Sequence, residues 1–326
     1  MAAVNACFVN DDGVSSTNGR TPQQQPVSNA TNAETAQQRS AVFWPVTGIK
    51  KLMGVDDSLF GLGTTRTQVL QMALAELVGT GLLVFLGCMG TVVGMSHSAH
   101  PHLLIAFAFG LTVMIVIQIM AHISKAHLNP AVTFALVVIG DLNVPLAGVY
   151  ILSQVIGATL GYGVLMAITP DRVLKEHSPN GTCCAMCVTT VNPEMTSLQG
   201  LLAEFLVTSI LVLVVCSVFD RRNAHNTDSV SIKFGLTVAA IAMNEGPYTG
   251  GSMNPARSFG PAIWTGVWEN HWVYWVGPLA AGLLTSAFYR FVFGVPPVHQ
   301  LAPHETDQGI LLTSVRDGGT EETNMK

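Results

Sequence analysis

The tripeptide Asn-Pro-Ala occurs twice, as Asn129-Pro130-Ala131 and Asn254-Pro255-Ala256, 125 residues apart. Asparagine is a favoured helix N-cap and proline is favoured at the first helical position, so each copy reads as a helix start. The apolar stretches that follow, Pro130–Ile139 and Pro255–Trp264, are ten residues each. At 1.5 Å per residue each helix is about 15 Å long, half of a ~30 Å hydrocarbon core. Each helix start carries roughly half a positive charge. As N-cap, each asparagine is expected to accept from the backbone N–H of the third helical residue, leaving its NH2 free to donate into a lumen. Two converging donors backed by two positive helix ends would hold a water or hydroxyl oxygen and repel cations, protons included. A single copy would read as an ordinary turn; two copies inside apolar sequence point to a polar path through a membrane, where short helices are tolerated only if they are buried in protein or line a wet cavity.

The elements that must position these asparagines are apolar spans. The chain is 49% hydrophobic and 11% charged, with a mean hydropathy of +0.44. Six spans are expected, at Leu70–Val92, Leu103–Ala121, Val144–Ile168, Leu198–Phe219, Ser231–Met243 (extended to nearly Asn244) and Trp272–Phe293. A second repeat organises them: Leu74-Ala-Glu-Leu-Val-Gly-Thr80 is similar to Leu202-Ala-Glu-Phe-Leu-Val-Thr208, 128 residues later. The expected fold is therefore an all-α membrane protein of six transmembrane helices plus two re-entrant half-helices, built as a tandem repeat. Three spans per half is odd, so the second half is inverted, which puts the site at the bilayer midplane. The channel domain covers 66–295, with repeats at about 66–170 and 195–295.

Residues 1–65 are rich in Gln, Asn, Ser and Thr and read as a disordered tail, and 296–326 read as a second polar tail. Lys50, Lys51, Arg66, Lys125, Arg221, Arg222 and Arg290 all fall on one side of this topology, which the positive-inside rule makes cytoplasmic, with both tails. The sequon at Asn180 then lies outside, open to glycosylation, whereas the one at Asn29 lies inside and stays silent. The net charge of −5 sits mostly in tails and loops, so no nucleic-acid partner is expected. No nucleotide loop, metal spacing or nucleophile–base pair supports an enzyme, and no cofactor is expected. Cys183, Cys184 and Cys187 form a cluster in the outer loop, read as a disulfide or intersubunit contact ahead of a metal site. Cys88 and Cys216 read as packing residues within spans, and His97, His100 and His102 as solvated loop residues.

Ala126-His-Leu-Asn-Pro-Ala-Val-Thr133 and Ser252-Met-Asn-Pro-Ala-Arg-Ser-Phe-Gly260 resemble the two signature boxes of the major intrinsic protein (aquaporin) family. The resemblance runs from about Gln71 to Gly294. It implies a pore in each subunit of a homotetramer embedded in the lipid bilayer of the plasma membrane. It also implies that Glu76 and Glu204 are bracing acids that hold loop carbonyls, and that His127 shapes the cytoplasmic vestibule.

The resemblance further implies a second constriction, outward of the asparagines, made by Phe109, Ala242, Gly251 and Arg257. Water-selective members are similar to one another in carrying a histidine where this chain has Ala242. No histidine stands between His225 and His271 to replace it. Losing an imidazole widens the ring and leaves one apolar wall facing the Arg257 donors, a division that matches the carbon and hydroxyl faces of a polyol. The mosaic resembles the insect entomoglyceroporins. The expected function is a passive channel for glycerol, and urea, together with water. Against it stand Ser258, where glycerol facilitators have aspartate, and Ala262 and Tyr274-Trp275, which resemble the water-channel branch. A water-selective channel is the alternative; a membrane adhesion protein on the same fold and an ion-coupled transporter come from other classes.

Overall fold

Thr65 and Gln68 start the first helix ahead of its apolar run. The Thr65 hydroxyl accepts from Gln68 N while the Gln68 side chain accepts from Thr65 N, and Thr196 with Gln199 repeats this capping box in the second half. The spans expected at Leu70 and Leu198 therefore begin at Arg66 and Ser197.

A computed structural model describes residues 65–92, 101–176 and 186–294. The expected tails, Asn180, His97, His100, Cys183 and Cys184 lie outside the described residues. Among those residues all regular structure is helical: α1 (Arg66–Met89), α2 (His102–Ser124), α3 (Pro130–Ile139), α4 (Val144–Ile168), α5 (Asp171–Glu176), α6 (Ser197–Phe219), α7 (Val230–Thr249), α8 (Pro255–Thr265) and α9 (Val273–Val292). Helices α1, α2, α4 and α6 are long and apolar enough to cross a membrane by length and composition. Their outward faces are apolar: in α6, Leu198, Leu202, Leu206 and Ile210 form an exposed i, i+4 stripe, the reverse of a water-soluble helix.

The packing has the symmetry of the repeat. Helix α1 packs on α4 as α6 packs on α9; α8 packs on α4 as α3 packs on α9; and α2 packs on α7, its counterpart. These helices approach closely because small residues face each other. A Cβ on Gly157 would land inside the Leu77 carbonyl of α1, and one on Gly161 inside the carbonyl of Gly81. Gly157→Val should therefore overpack this seam by about 3 kcal/mol or more, beyond the usual overpacking range because backbone is in the way. Loss of a monodisperse peak in fluorescence-detected size exclusion is the expected result.

The basic residues after α2, in the connection after α6 and near the end of α9 gather at one end. Lys125 pairs with Asp141 (2.6 Å) and lies 5.5 Å from the centre of the Phe219 ring. Arg290 caps the Val138 carbonyl at the C-terminal turn of α3 (2.7 Å), and Arg222 donates to the Phe293 carbonyl (2.7 Å). Asp220 accepts from Arg222 (2.5 Å) and from the Tyr289 hydroxyl (3.0 Å), and the guanidinium holds its carboxyl well below the usual carboxylate range.

Helix α7 runs on to Thr249, past the end expected near Asn244 and through Pro247. Proline cannot donate to the carbonyl four residues back, so Met243 O loses its helical partner. His102 of α2 supplies one: its Nε2 lies 3.1 Å from Met243 O and 3.0 Å from Ala242 O. Both acceptors are carbonyls, so Nε2 carries the hydrogen. Gly246 makes room, since a Cβ there would enter the imidazole ring. His102 is exposed, in line with its reading as a solvated residue, and it is also a clamp on α7.

Candidate functional site

Asn129 and Asn254 cap α3 and α8 with their side-chain oxygens. Asn129 Oδ1 accepts from Ala131 N (2.8 Å), and Asn254 Oδ1 accepts from Ala256 N (3.0 Å) and Arg257 N (3.3 Å). The nearest donor is on the second helical residue, one earlier than expected. The amides are also not wholly free. Asn129 Nδ2 donates to Met253 O and Asn254 Nδ2 to Leu128 O, each at 2.8 Å. Every NH2 has two hydrogens, so one links the two loops and one is left for the lumen. The two half-helices therefore meet start to start, locked by a reciprocal pair of hydrogen bonds.

What aims those carbonyls is backbone strain. Leu128 and Met253, each directly before its asparagine, sit in the left-handed region at φ 56° and 53°. Such a conformation costs a non-glycine residue on the order of 1–2 kcal/mol and persists only where the surroundings fix it. Glu76 and Glu204 fix it. Glu76 accepts from Leu128 N (2.8 Å), His127 N (2.9 Å), Ser124 Oγ (2.6 Å) and Gln154 Nε2 (2.8 Å). Glu204 accepts from Met253 N (2.8 Å), Ser252 N (3.0 Å) and Thr249 Oγ1 (2.6 Å). Both acids are fully buried. The expectation that they hold loop carbonyls is corrected: a carboxylate accepts, so it holds the loop N–H groups, and the carbonyls of the same residues, Leu128 and Met253, are left to the opposite asparagine.

Phe109, His127, Asn129, Ala242, Gly251, Asn254 and Arg257 all line one cavity of about 600 Å3. Much of the rest of its wall is apolar, from Val113, Ile117, Phe234 and Val238 among others. His127 is buried, with Nδ1 3.2 Å from the Thr133 hydroxyl and its ring edge-on to Tyr150 at 4.8 Å between centroids. Arg257 is 6% exposed, its Nη1 donates to the Cys187 carbonyl (2.8 Å), and its guanidinium carbon lies 4.6 Å from the centre of the Phe109 ring. A buried guanidinium needs such acceptors and π contact because it cannot shed its charge. In the same cavity, a Cβ on Gly251 would lie 3.4 Å from Ala242 Cα, so the wall here is backbone and one methyl. Ser258 forms hydrogen bonds with Ser252 Oγ (2.5 Å) and Thr189 Oγ1 (2.8 Å) and adds no charge beside Arg257.

Two participants escaped sequence reasoning. Cys88 forms a disulfide with Cys187, so it is a covalent tether as well as the buried packing residue expected. The end of α1 faces the loop before α6, a proximity that residue spacing does not reveal. Glu245 is buried on α7, hydrogen-bonded to the Thr249 hydroxyl, with its second oxygen 3.3 Å from where a side chain on Gly251 would begin. The expected span stopped at about Asn244, one residue short of it, so Glu245 carried no signal as a buried acid.

A family profile described as Major intrinsic protein matches residues 64–289, well over half of the chain. The chain belongs to the major intrinsic protein family. It is similar to aquaporin-4 of Mus musculus, 38% identical over 223 residues, which cover 67% of this chain and 66% of that protein. Aquaporin-2 of Homo sapiens is 36% identical over 228 residues, 70% of this chain and 80% of that one. The chain spans slightly under two thirds of the length of the mouse relative. Among solved structures it is similar to one titled as the X-ray structure of the aquaglyceroporin from Plasmodium falciparum, with a TM-score of 0.63 and 25% identity, covering 69% of this chain and 97% of that one. Members of this family are membrane channels rather than enzymes, and the four apolar helices of spanning length among the described residues fit that membership.

Proposed function

We propose that this chain is a passive channel for glycerol and other small uncharged solutes, urea among them, together with water. The observation that carries the reading is the wall at Ala242 and Gly251, a methyl group and bare backbone in the same cavity that holds Arg257 and Phe109. A polyol turned with its carbon chain toward Phe109 and the Ala242 methyl presents its hydroxyls to Arg257. Deeper in, Asn129 and Asn254 each offer one remaining N–H to a passing oxygen. Their helix starts add positive potential, so a cation meets two helix ends and a guanidinium. The aquaglyceroporin title of a similar structure supports the same reading.

The basic end described above is the cytoplasmic end in this account, with both termini there. The channel works as a homotetramer in the plasma membrane. A water-selective channel is the second reading, favoured by Ser258, whose hydroxyl stands in place of a second polar wall of opposite charge. Uptake of labelled glycerol and urea into cells producing the protein tests the choice: uptake above control supports the wide ring, and water swelling without it supports the second reading.

Arg257→Val should leave solute passage and open the ring to cations, because the permanent charge at the constriction is gone. A proton leak in vesicles loaded with a pH-sensitive dye, absent with the unaltered protein, is the expected result.

A further inference from the structure

The Cys88–Cys187 disulfide lies outside every role assigned so far, and it ends at the residue that touches the buried guanidinium. Arg257 Nη1 donates to the carbonyl of Cys187 (2.8 Å), and Cys187 is held in the left-handed region at φ 63°. That conformation aims the carbonyl and needs external support in a residue with a side chain. Support comes from three sides. The Tyr162 hydroxyl of α4 donates to Met186 O (2.7 Å), Thr189 Oγ1 bonds Ser258 Oγ of α8 (2.8 Å), and the disulfide fixes Cys187 to Cys88 of α1, with 5.3 Å between Cα atoms.

Cys88 is fully buried and follows Gly87, against which the Phe109 ring is seated: a Cβ on Gly87 would lie 2.5 Å from Phe109 Cε1. One turn of α1 therefore references both flanks of the guanidinium, the Phe109 face through Gly87 and the Cys187 carbonyl through sulfur. Cys88, Phe109, Tyr162, Met186 and Ala256 belong to one packed cluster, so the tether is anchored in rigid core.

We infer that the Cys88–Cys187 disulfide is a specificity-determining strut that positions Arg257 in the outer ring. This rests on the reading of that ring as the selectivity filter. With the bond cut, Cys187 relaxes from its left-handed conformation, its carbonyl leaves Arg257, and the released N–H groups turn toward the lumen. The ring narrows for a solute wider than water, while single-file water still passes.

The test uses the full chain, purified without reductant, in proteoliposomes. Water, glycerol and urea permeabilities are measured before and after a membrane-impermeant phosphine, and beside the C88S/C187S double variant. The phosphine supplies two electrons: its phosphorus takes oxygen from water to become the phosphine oxide, the two protons go to sulfur, and S–S becomes two S–H groups. Reduction is expected to lower the glycerol-to-water permeability ratio about threefold or more, the scale of one lost hydrogen bond. The double variant should start at the lowered ratio and ignore the phosphine. An unchanged ratio in protein whose two thiols label fully, a double variant with the unaltered ratio, or free Cys88 and Cys187 in never-reduced protein would each overturn the strut. If the double variant does not fold, reduction of the assembled protein decides. If the unaltered protein carries no glycerol at all, the wide-ring reading fails separately, and the strut stands or falls on whether reduction lowers the urea-to-water permeability ratio.

Discussion

Ala242→His should reduce glycerol permeation about tenfold or more while reducing water permeation far less. The substitution replaces one methyl with an imidazole at a wall otherwise made of Gly251 backbone, in a cavity that Phe109 and Arg257 also line. Excluding a solute by a few heavy atoms is worth roughly 1–3 kcal/mol, or 10- to 200-fold. The imidazole also adds a hydrogen-bonding edge that water can use and a carbon chain cannot. His102 does not already serve this purpose, because its Nε2 is turned to the Ala242 and Met243 carbonyls and it does not line the cavity. Stopped-flow light scattering with water and glycerol gradients checks the prediction, and an equal loss of both permeabilities would remove Ala242 from the ring.

Glu204→Ala should cost the protein its folded state rather than its selectivity. The carboxylate satisfies Met253 N and Ser252 N, both buried, and alanine leaves these two backbone donors without a partner, while the Thr249 hydroxyl keeps Glu245. Each unsatisfied buried donor costs about 1–3 kcal/mol, so the sum is several kcal/mol against a net stability of about 5–15 kcal/mol. The left-handed Met253 also loses its restraint, and with it the carbonyl that Asn129 needs. A large fall in the thermal midpoint of detergent-solubilised protein, with little at the cell surface, is the expected result. A stable variant with altered selectivity alone would contradict the bracing role. Glu76→Ala should behave alike, since Glu76 holds four donors in the first half.

The parts of this structure that were legible in sequence are those written locally. An asparagine followed by proline caps its own helix, an apolar run of about 20 residues marks a span, and an acid within such a run has a buried partner. Glu76 and Glu204 could thus be singled out from the duplicated segment around them. The length of α7 could not, because Pro247 normally ends a helix, and the group that rescues Met243 O comes from His102, 141 residues away in sequence. The reciprocal asparagine bonds were hidden for the same reason: they depend on Leu128 and Met253 adopting a conformation those residues avoid, and only the assembled acids make it tenable. Cys187 looked like one of three clustered loop thiols, and its partner lay in a span 99 residues earlier.

The central claim is that the ring at Ala242 and Arg257 passes a polyol, and glycerol permeability of the unaltered full-length protein tests it most directly. Purified protein in proteoliposomes, exposed to an isotonic glycerol gradient in a stopped-flow instrument, should swell well above protein-free vesicles, with water permeability also raised. Raised water permeability with glycerol entry no faster than in protein-free vesicles would contradict the account.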